Sequence, residues 1–543
     1  MDPVIVVGAG PVGLALTRAL TRHGVPVLLL DEATDGEDAR PARTAVLRPE
    51  TAAFADRLCG TPVSAAGARW SAWRTLRRRR PAHRQELGED APVHLPQHLL
   101  ARALRSAVDG DGLARVLTGT RLTGLDQDST GVTVHTRGPG ETRHRGSHLV
   151  GCDGARSTVR KLLDVRFPGR TAVERHAVAA LRAELPWPGE AVLHRSPPGG
   201  HEALARPLAD GVWRIDWLLP RGGELVTPEA LLTRIHDSLT TWCGRLPPYE
   251  LLDTGVHTVH HRLARRWRTG RAFLAGDAAH LLGSLGTQQL DEGLRDAENL
   301  AWKLALVRHG SAPDALLDSY QAERRGAVGA RLRAADQTLP LLRSGGAWPT
   351  VRRSLLPGTR GEDTLLTDGH LGRGPLGAPP VYARSPLTPP AAEAALPVTP
   401  PGAPVEDIPV TAPDGTVTGL RERLGGDLLV LLIAPGTGVW DRKHWMGAGL
   451  MPRLAAAVTA LPVRAELLVA EAYPGAPAHT VLLIRPDGHL AAAVPGVRPD
   501  QLHACADIVR GAGSTRNAAS GGSRTTGTSG TGAASANGAR TSP

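Results

Sequence analysis

"VIVVGAGPVGLAL", residues 4–16, sets four apolar residues before a glycine turn and an apolar-periodic run after it. That run reaches about Arg22, and a second apolar stretch, "VPVLLLDE", closes the pattern at residues 25–32. Strand, tight turn, helix and strand in this order make a β-α-β unit. Gly8, Gly10 and Gly13 stand at the turn, with Pro11 at the first helical position. Glycines at this spacing permit a sharp bend, close approach of the backbone to a pyrophosphate, and close helix packing. The helix N-terminus that follows offers amide donors and positive potential to phosphate. Asp31, 23 residues beyond Gly8, ends the second strand, where a carboxylate can accept from an adenosine ribose, and Glu32 beside it is a second candidate. The reading is a dinucleotide site.

The chain has 543 residues, room for two or three domains. Of its 63 basic side chains only Lys161, Lys303 and Lys443 are lysine, and the formal charge is +10. GC-rich coding accounts for the arginine excess most simply. The run Arg77 to Arg80 lacks interleaved aromatics beyond Trp70 and Trp73, so it reads as a solvated face and no nucleic-acid partner is expected. Cys59, Cys152, Cys243 and Cys505 are too far apart for a zinc site or a redox pair, which points to a reducing compartment and no metal. No apolar run is long enough for a membrane helix, and the N-terminal stretch lacks the basic lead of a signal peptide. A cytoplasmic protein with no membrane partner is expected.

A glycine fingerprint does not choose between NAD and FAD; distant motifs do. "GCDGARSTVRKLL" (151–163) and "RAFLAGDAAH" (271–280) join the fingerprint in order, with "ARTAVLRPET" around Arg43, "PQHLLARAL" at Gln97, "LRDAENLAWKL" (294–304) and "YQAER" (320–324). The ordered set resembles the class A flavoprotein monooxygenases, the FAD-dependent aromatic hydroxylases, and covers about the first 325 residues. The resemblance implies that Asp277 bonds the ribityl chain, with Gly276 and Ala278 small enough for close approach. It implies that Arg43 and Gln97 contact FAD. It further implies that Asp153 and Arg156 serve the pyrophosphate and the nicotinamide, and that the helix starting near Leu290 faces the flavin. NADH or NADPH would be the reductant, O2 the oxidant, and a flavin C4a-hydroperoxide the oxygen donor to a phenolic or polycyclic, polyketide-like aromatic, as in antibiotic biosynthesis. Baeyer-Villiger oxygenation on the same scaffold is the alternative. Halogenation would need a lysine near the flavin, and the N-terminal half holds only Lys161. No catalytic base carries a signature.

Taken alone, Asp153 and Asp277 are also ordinary helix or turn caps, and His280 reads as a packed structural histidine. Trp302 and Lys303 read as a helix packing on the sheet. Trp213 and Trp217 lie on one face of a strand, with core packing the default and pocket lining the minority reading.

The family loop after GDAAH usually reads like PPxGGQGLN. Here Gly283 and Ser284 replace the prolines, Thr287 and Gln289 replace glycines, and Asp291 replaces asparagine; Gly286, Gln288 and Leu290 survive. Fewer prolines loosen the backbone. A side chain at Gln289 resists positive φ, and Asp291 brings a carboxylate toward a ring that becomes anionic on reduction. Gly286, Gln289 and Leu290 remain candidate cofactor contacts. A flavin-binding protein with impaired oxygen chemistry is the non-catalytic alternative.

The fold expected is α/β: a Rossmann-like FAD-binding domain from residues 1–172 and 270–345, an inserted antiparallel-sheet substrate domain at 173–269, and a C-terminal thioredoxin-like domain at 407–510. Residues 346–406, rich in Pro and Gly, read as a linker without packed elements. Residues 511–543 read as a disordered tail. The last domain has no C-x-x-C, leaving a structural role or a homodimer contact.

Overall fold

The computed structural model describes residues 2–34, 39–78, 80–195, 197, 201–220, 225–283, 289–343, 358–389, 397–436 and 449–512. The tail from residue 513, and Ser284, Gly286, Thr287 and Gln288, lie outside the described residues.

The first apolar stretch is the strand Val4–Val7, fully buried, followed by the helix Pro11–Arg22. The strand pairs in parallel with Val27–Leu30 on one side and His148–Gly151 on the other. Ala114–Leu117 extends the sheet beyond Val27–Leu30, and Ala272–Leu274 extends it beyond His148–Gly151. Both motif segments, "GCDG" and "AGDAA", therefore leave neighbouring parallel strands at the same end as the glycine turn. That is where an open parallel sheet places its ligand.

A second sheet of eight strands lies across this end. It runs in the order His280–Leu281, Tyr249–Leu263, Gly169–Ala183, Val212–Leu218, Ala203–Pro207, Glu190–Arg195, Ala72–Arg77 and Arg80–Glu86. The last two strands come from the segment assigned by sequence to the FAD domain, so this sheet is built from more of the chain than residues 173–269. Alternation fixes its faces. Trp213, Ile215 and Trp217 pack beneath the helix Pro228–Cys243, against Ile235, Leu239 and Trp242. Both tryptophans are therefore core on the side facing away from the glycine turn.

The C-terminal sheet has the order Val417–Gly419, Pro409–Thr411, Ala465–Ala470, Leu428–Ile433, Thr480–Ile484 and Leu490–Pro495, with helices Met451–Thr459 and Pro499–Val509 packed on it. The helix carrying Trp302 packs against the parallel sheet through Leu294, Ala297, Leu300 and Leu304, as the sequence reading expected, while the Trp302 side chain itself is buried in this C-terminal core. The helix Gln289–Arg308 packs on Pro11–Arg22 with one face and presents Trp302 to the C-terminal domain with another. Lys303 anchors the same junction, donating to Asn299 Oδ1 at 2.8 Å and Glu323 Oε2 at 2.7 Å. Arg485 of the C-terminal domain grips Glu323 through both carboxylate oxygens, at 2.6 and 2.9 Å.

Two further expectations are revised. The stretch 346–406 is not without packed elements: the helix Gly358–Leu371 places Leu366 and Leu371 in a core with Trp70 and Trp73. Its glycines and flanking Pro-rich segment hid two turns' worth of apolar residues that the sheet needs as cover. The helical pattern from Ala312 to Leu342 is interrupted by a π-helical turn, Gln321–Arg325, which brings Glu323 and Arg324 side by side into the buried ionic cluster.

Candidate active site

The glycine turn is set by contact. A Cβ on Gly13 would sit 1.9 Å from the carbonyl oxygen of Gly8, and one on Gly8, at φ +104°, would meet the Cys152 carbonyl at 2.5 Å. These two glycines hold helix, strand and neighbouring "GCDG" turn together. Gly10 differs, because a Cβ there meets nothing within 4 Å. It borders a cavity of about 560 Å³, within the range of small-molecule sites. Asp31 sits directly after its strand, accepting from the Ala9 amide of the fingerprint and, at 2.7 Å, from Ala33 N. Glu32 is exposed, 3.8 Å from Arg121.

Gly276, at φ +60°, packs on Val12 of the fingerprint helix, which brings Asp277 beside the glycine turn as the family resemblance requires. Arg43, Gln97, Asp277, Gln289 and Leu290 all line the cavity with Gly10 and Pro11. Burial raises the Asp277 carboxyl above its ordinary value, against the opposing hydrogen bond from Gln289. Asp153 and Arg156 are not on this lining. Asp153 Oδ2 accepts from Thr158 N at 2.6 Å and Val159 N at 3.0 Å, so it does cap the short helix Thr158–Leu162, with Ser157 bonding Arg160 N beside it. Its Oδ1 is buried and has no partner among the described residues. Arg156 is exposed. His280 bonds Asp296 Oδ2 at 2.8 Å and stacks on Trp267, a structural histidine.

The altered loop resolves differently from the expectation. Gln289 begins the helix Gln289–Arg308 and is not among the residues with positive φ, so the strain expected of a side chain there does not arise. Its amide nitrogen donates to Asp277 Oδ1 at 2.6 Å, and its oxygen accepts from Leu282 N at 3.2 Å. A residue read as a departure thus ties the two halves of the motif. Asp291 is also corrected. Two residues further along the helix, it points to nearly the opposite side, is fully buried, and accepts from Arg48 N at 3.0 Å and from the Arg48 guanidinium. Burial would raise its carboxyl, but Arg48 and then Arg295 outweigh it and hold the group below its ordinary value. No uncompensated charge from Asp291 reaches the cavity.

The opposite wall of the same cavity is the eight-stranded sheet, contributing His176, Val178, Leu204, Arg206, Arg214 and Asp216 among others. Sequence reasoning did not find this charged set. The alternation in "GVWRIDWLLP" was its only signal, and the same alternation describes a strand with one wet face.

A model of the family described as FAD binding domain matches residues 1–335. The rifampicin monooxygenase of Streptomyces venezuelae is 36% identical over 350 residues, which cover 60% of this chain and 68% of that one. The 3-(3-hydroxy-phenyl)propionate/3-hydroxycinnamic acid hydroxylase of Mycolicibacterium smegmatis is 31% identical over 344 residues, covering 59% of this chain and 58% of that one, so the chain spans less than two thirds of this relative. Among solved structures, the anhydrotetracycline hydroxylase OxyS from Streptomyces rimosus superposes with a TM-score of 0.66 at 27% identity, covering 94% of this chain and 98% of that one. With the fingerprint, the Asp277 turn and the overlying sheet in the family arrangement, the chain belongs to the FAD binding domain family, within the class A FAD-dependent aromatic hydroxylases.

Proposed function

We propose that the protein is an NAD(P)H-consuming monooxygenase that hydroxylates a phenolic or polycyclic aromatic small molecule. One observation carries this reading: a single cavity is bordered by the FAD motifs at one end and by the inner face of the second sheet at the other. Its relatives' names, a rifampicin monooxygenase and an anhydrotetracycline hydroxylase, support a polycyclic substrate for this chain.

The residues present fit FAD. Gly10 leaves open space where the pyrophosphate would pass, Asp31, bonded to the fingerprint amide of Ala9 though not itself on the cavity lining, would hold the ribose, and Asp277 on the lining would hold the ribityl chain. When bound, FAD supplies reduction by the nicotinamide and activation of O2. The protein's part is position and electrostatics. Gln289 fixes the Asp277 carboxylate, the N-terminus of Gln289–Arg308 directs positive potential to the cavity edge, and the sheet excludes water from the aromatic. Arg48 and Arg295 keep the Asp291 charge inside the protein.

The test is direct. Purified FAD-loaded protein is given NADH or NADPH with a panel of naphthols and hydroxyanthraquinones under labelled O2. Aromatic-dependent nicotinamide oxidation with one labelled oxygen in a hydroxylated ring is the expected result. Oxygen inserted into a ring carbon-carbon bond would establish the Baeyer-Villiger alternative, and nicotinamide consumption indifferent to every aromatic would refute the proposal.

A further inference from the structure

The sheet wall carries a charge that its own neighbours do not balance. Arg206 and Arg214 face each other across two antiparallel strands, a pairing of like charges that costs stability. Both line the cavity and are only 2% and 7% exposed. One carboxylate serves them both: Asp216 accepts from Arg206 Nη2 at 2.5 Å and from Arg214 Nη2 at 2.6 Å. The other acids on this wall, Glu202 and Asp253, have arginines of their own: Glu202 lies 3.5 Å from Arg195, and Asp253 pairs with Arg40 at 3.2 Å. His94, buried beside the pair, is held well below its ordinary pKa by burial and then by Arg206, so it is neutral at pH 7.

Arg206 is the less satisfied end of this imbalance. A guanidinium has five N–H donors, yet among the described residues the one hydrogen bond of Arg206 is to Asp216, and its buried Nε has no partner. Arg214 is better served, with Thr44 Oγ1 at 3.0 Å in addition to the carboxylate. A buried cation with unused donors beside a cavity is costly unless an anion completes it.

We propose that Arg206, backed by Arg214, receives an oxyanion of the substrate, so that the aromatic enters this cavity ionised. The fitting class is an aromatic or quinonoid molecule carrying a carboxylate, or the enolate of an acidic hydroxyquinone or 1,3-dicarbonyl. Such a substrate releases its proton to bulk water before binding. Selection of the ionised form then takes the place of a protein base, for which the cavity shows no sequence signature. This inference rests on reading the cavity as the substrate's.

Calorimetric titration of the FAD-loaded protein at about pH 7.5 with two matched pairs tests it. One pair is 2-hydroxy-1,4-naphthoquinone and its 2-methoxy ether; the other is 1-hydroxy-2-naphthoate and the corresponding amide. In at least one pair the anion should bind about tenfold to a hundredfold tighter, the range of a charge-assisted hydrogen bond. The pair that discriminates tells enolate from carboxylate. Arg206→Gln should bring the members of that pair to near-equal affinity without weakening the neutral one, and Arg206→Lys should keep part of the preference. Equal binding within both pairs by the wild-type protein overturns the proposal, whether or not the variants fold; so does a preference that Arg206→Gln leaves intact. Because binding is read without turnover, anion preference in a protein that never consumes NAD(P)H would defeat the proposed function alone. Oxygenation of neutral naphthols with no anion preference would defeat this inference alone.

Discussion

The two ends of the cavity are made of different material. At the cofactor end the decisive atoms are backbone: the glycines at 8, 10 and 13, the Ala9 amide, and the turn at Gly276. At the sheet wall they are long ionised side chains, two arginines sharing one aspartate. Backbone geometry tolerates few residue types at fixed spacing, whereas a charged wall needs only alternation and a partner. The first end is therefore rigid in its sequence requirements, and the second is free to change with the ligand.

Gly13→Val should break the first end most completely. Its Cβ would fall 1.9 Å from the Gly8 oxygen, and both atoms lie in packed backbone that cannot yield. Soluble yield and flavin content should both collapse; a yellow, soluble variant would contradict the contact. At the wall, Asp216→Asn keeps the shape but leaves two buried guanidiniums unpaired. Breaking such a pair costs about 3–5 kcal/mol, readable as a lower urea midpoint, and a loss under about 1 kcal/mol would show that solvent reaches the pair.

Asp277 belongs to the first end, tied to Gln289, and its replacement sharpens the comparison. Asp277→Asn should weaken FAD binding by about tenfold to a hundredfold, as expected for a lost charge-assisted hydrogen bond, measured by flavin fluorescence on titrating the apoprotein. The smallest effect is one of pH. Asp216 is lowered, burial being outweighed by Arg206 and Arg214, so its stabilisation is present above its unfolded pKa and is lost as pH falls through the folded value. Asp277 is raised, chiefly by burial, so its contribution is present at acid pH and is lost as pH rises through the folded value. Thermal midpoints of the apoprotein across pH should show Asp277→Asn gaining on wild type as pH rises above about 4. A difference independent of pH would mean that the carboxylate is solvated in the apoprotein.

This contrast also explains what could be read from the sequence. The β-α-β unit, the order of the motifs and the closeness of Asp277 to the glycine turn were legible because backbone approach dictates residue type. Arg206, Arg214 and Asp216 were not, because a polar face toward a ligand cavity has the same period as one toward water. Asp291 misled because its role depends on Arg48, which a sequence cannot place beside it. Gln289 looked like a defect where only glycine was expected, yet its helical backbone removes the strain and its amide gains Asp277 and Leu282. The helix Gly358–Leu371 was misjudged because the surface that buries it belongs to distant segments.

The account stands on flavin and aromatic sharing one cavity, and the visible spectrum of the FAD-loaded protein tests this most directly. Adding 2-hydroxy-1,4-naphthoquinone or 1-hydroxy-2-naphthoate should perturb the flavin band saturably, with the dissociation constant found by calorimetry and with the perturbation weakened by Arg206→Gln. Calorimetric binding of either probe that leaves the flavin spectrum unchanged would place the aromatic elsewhere and contradict the account.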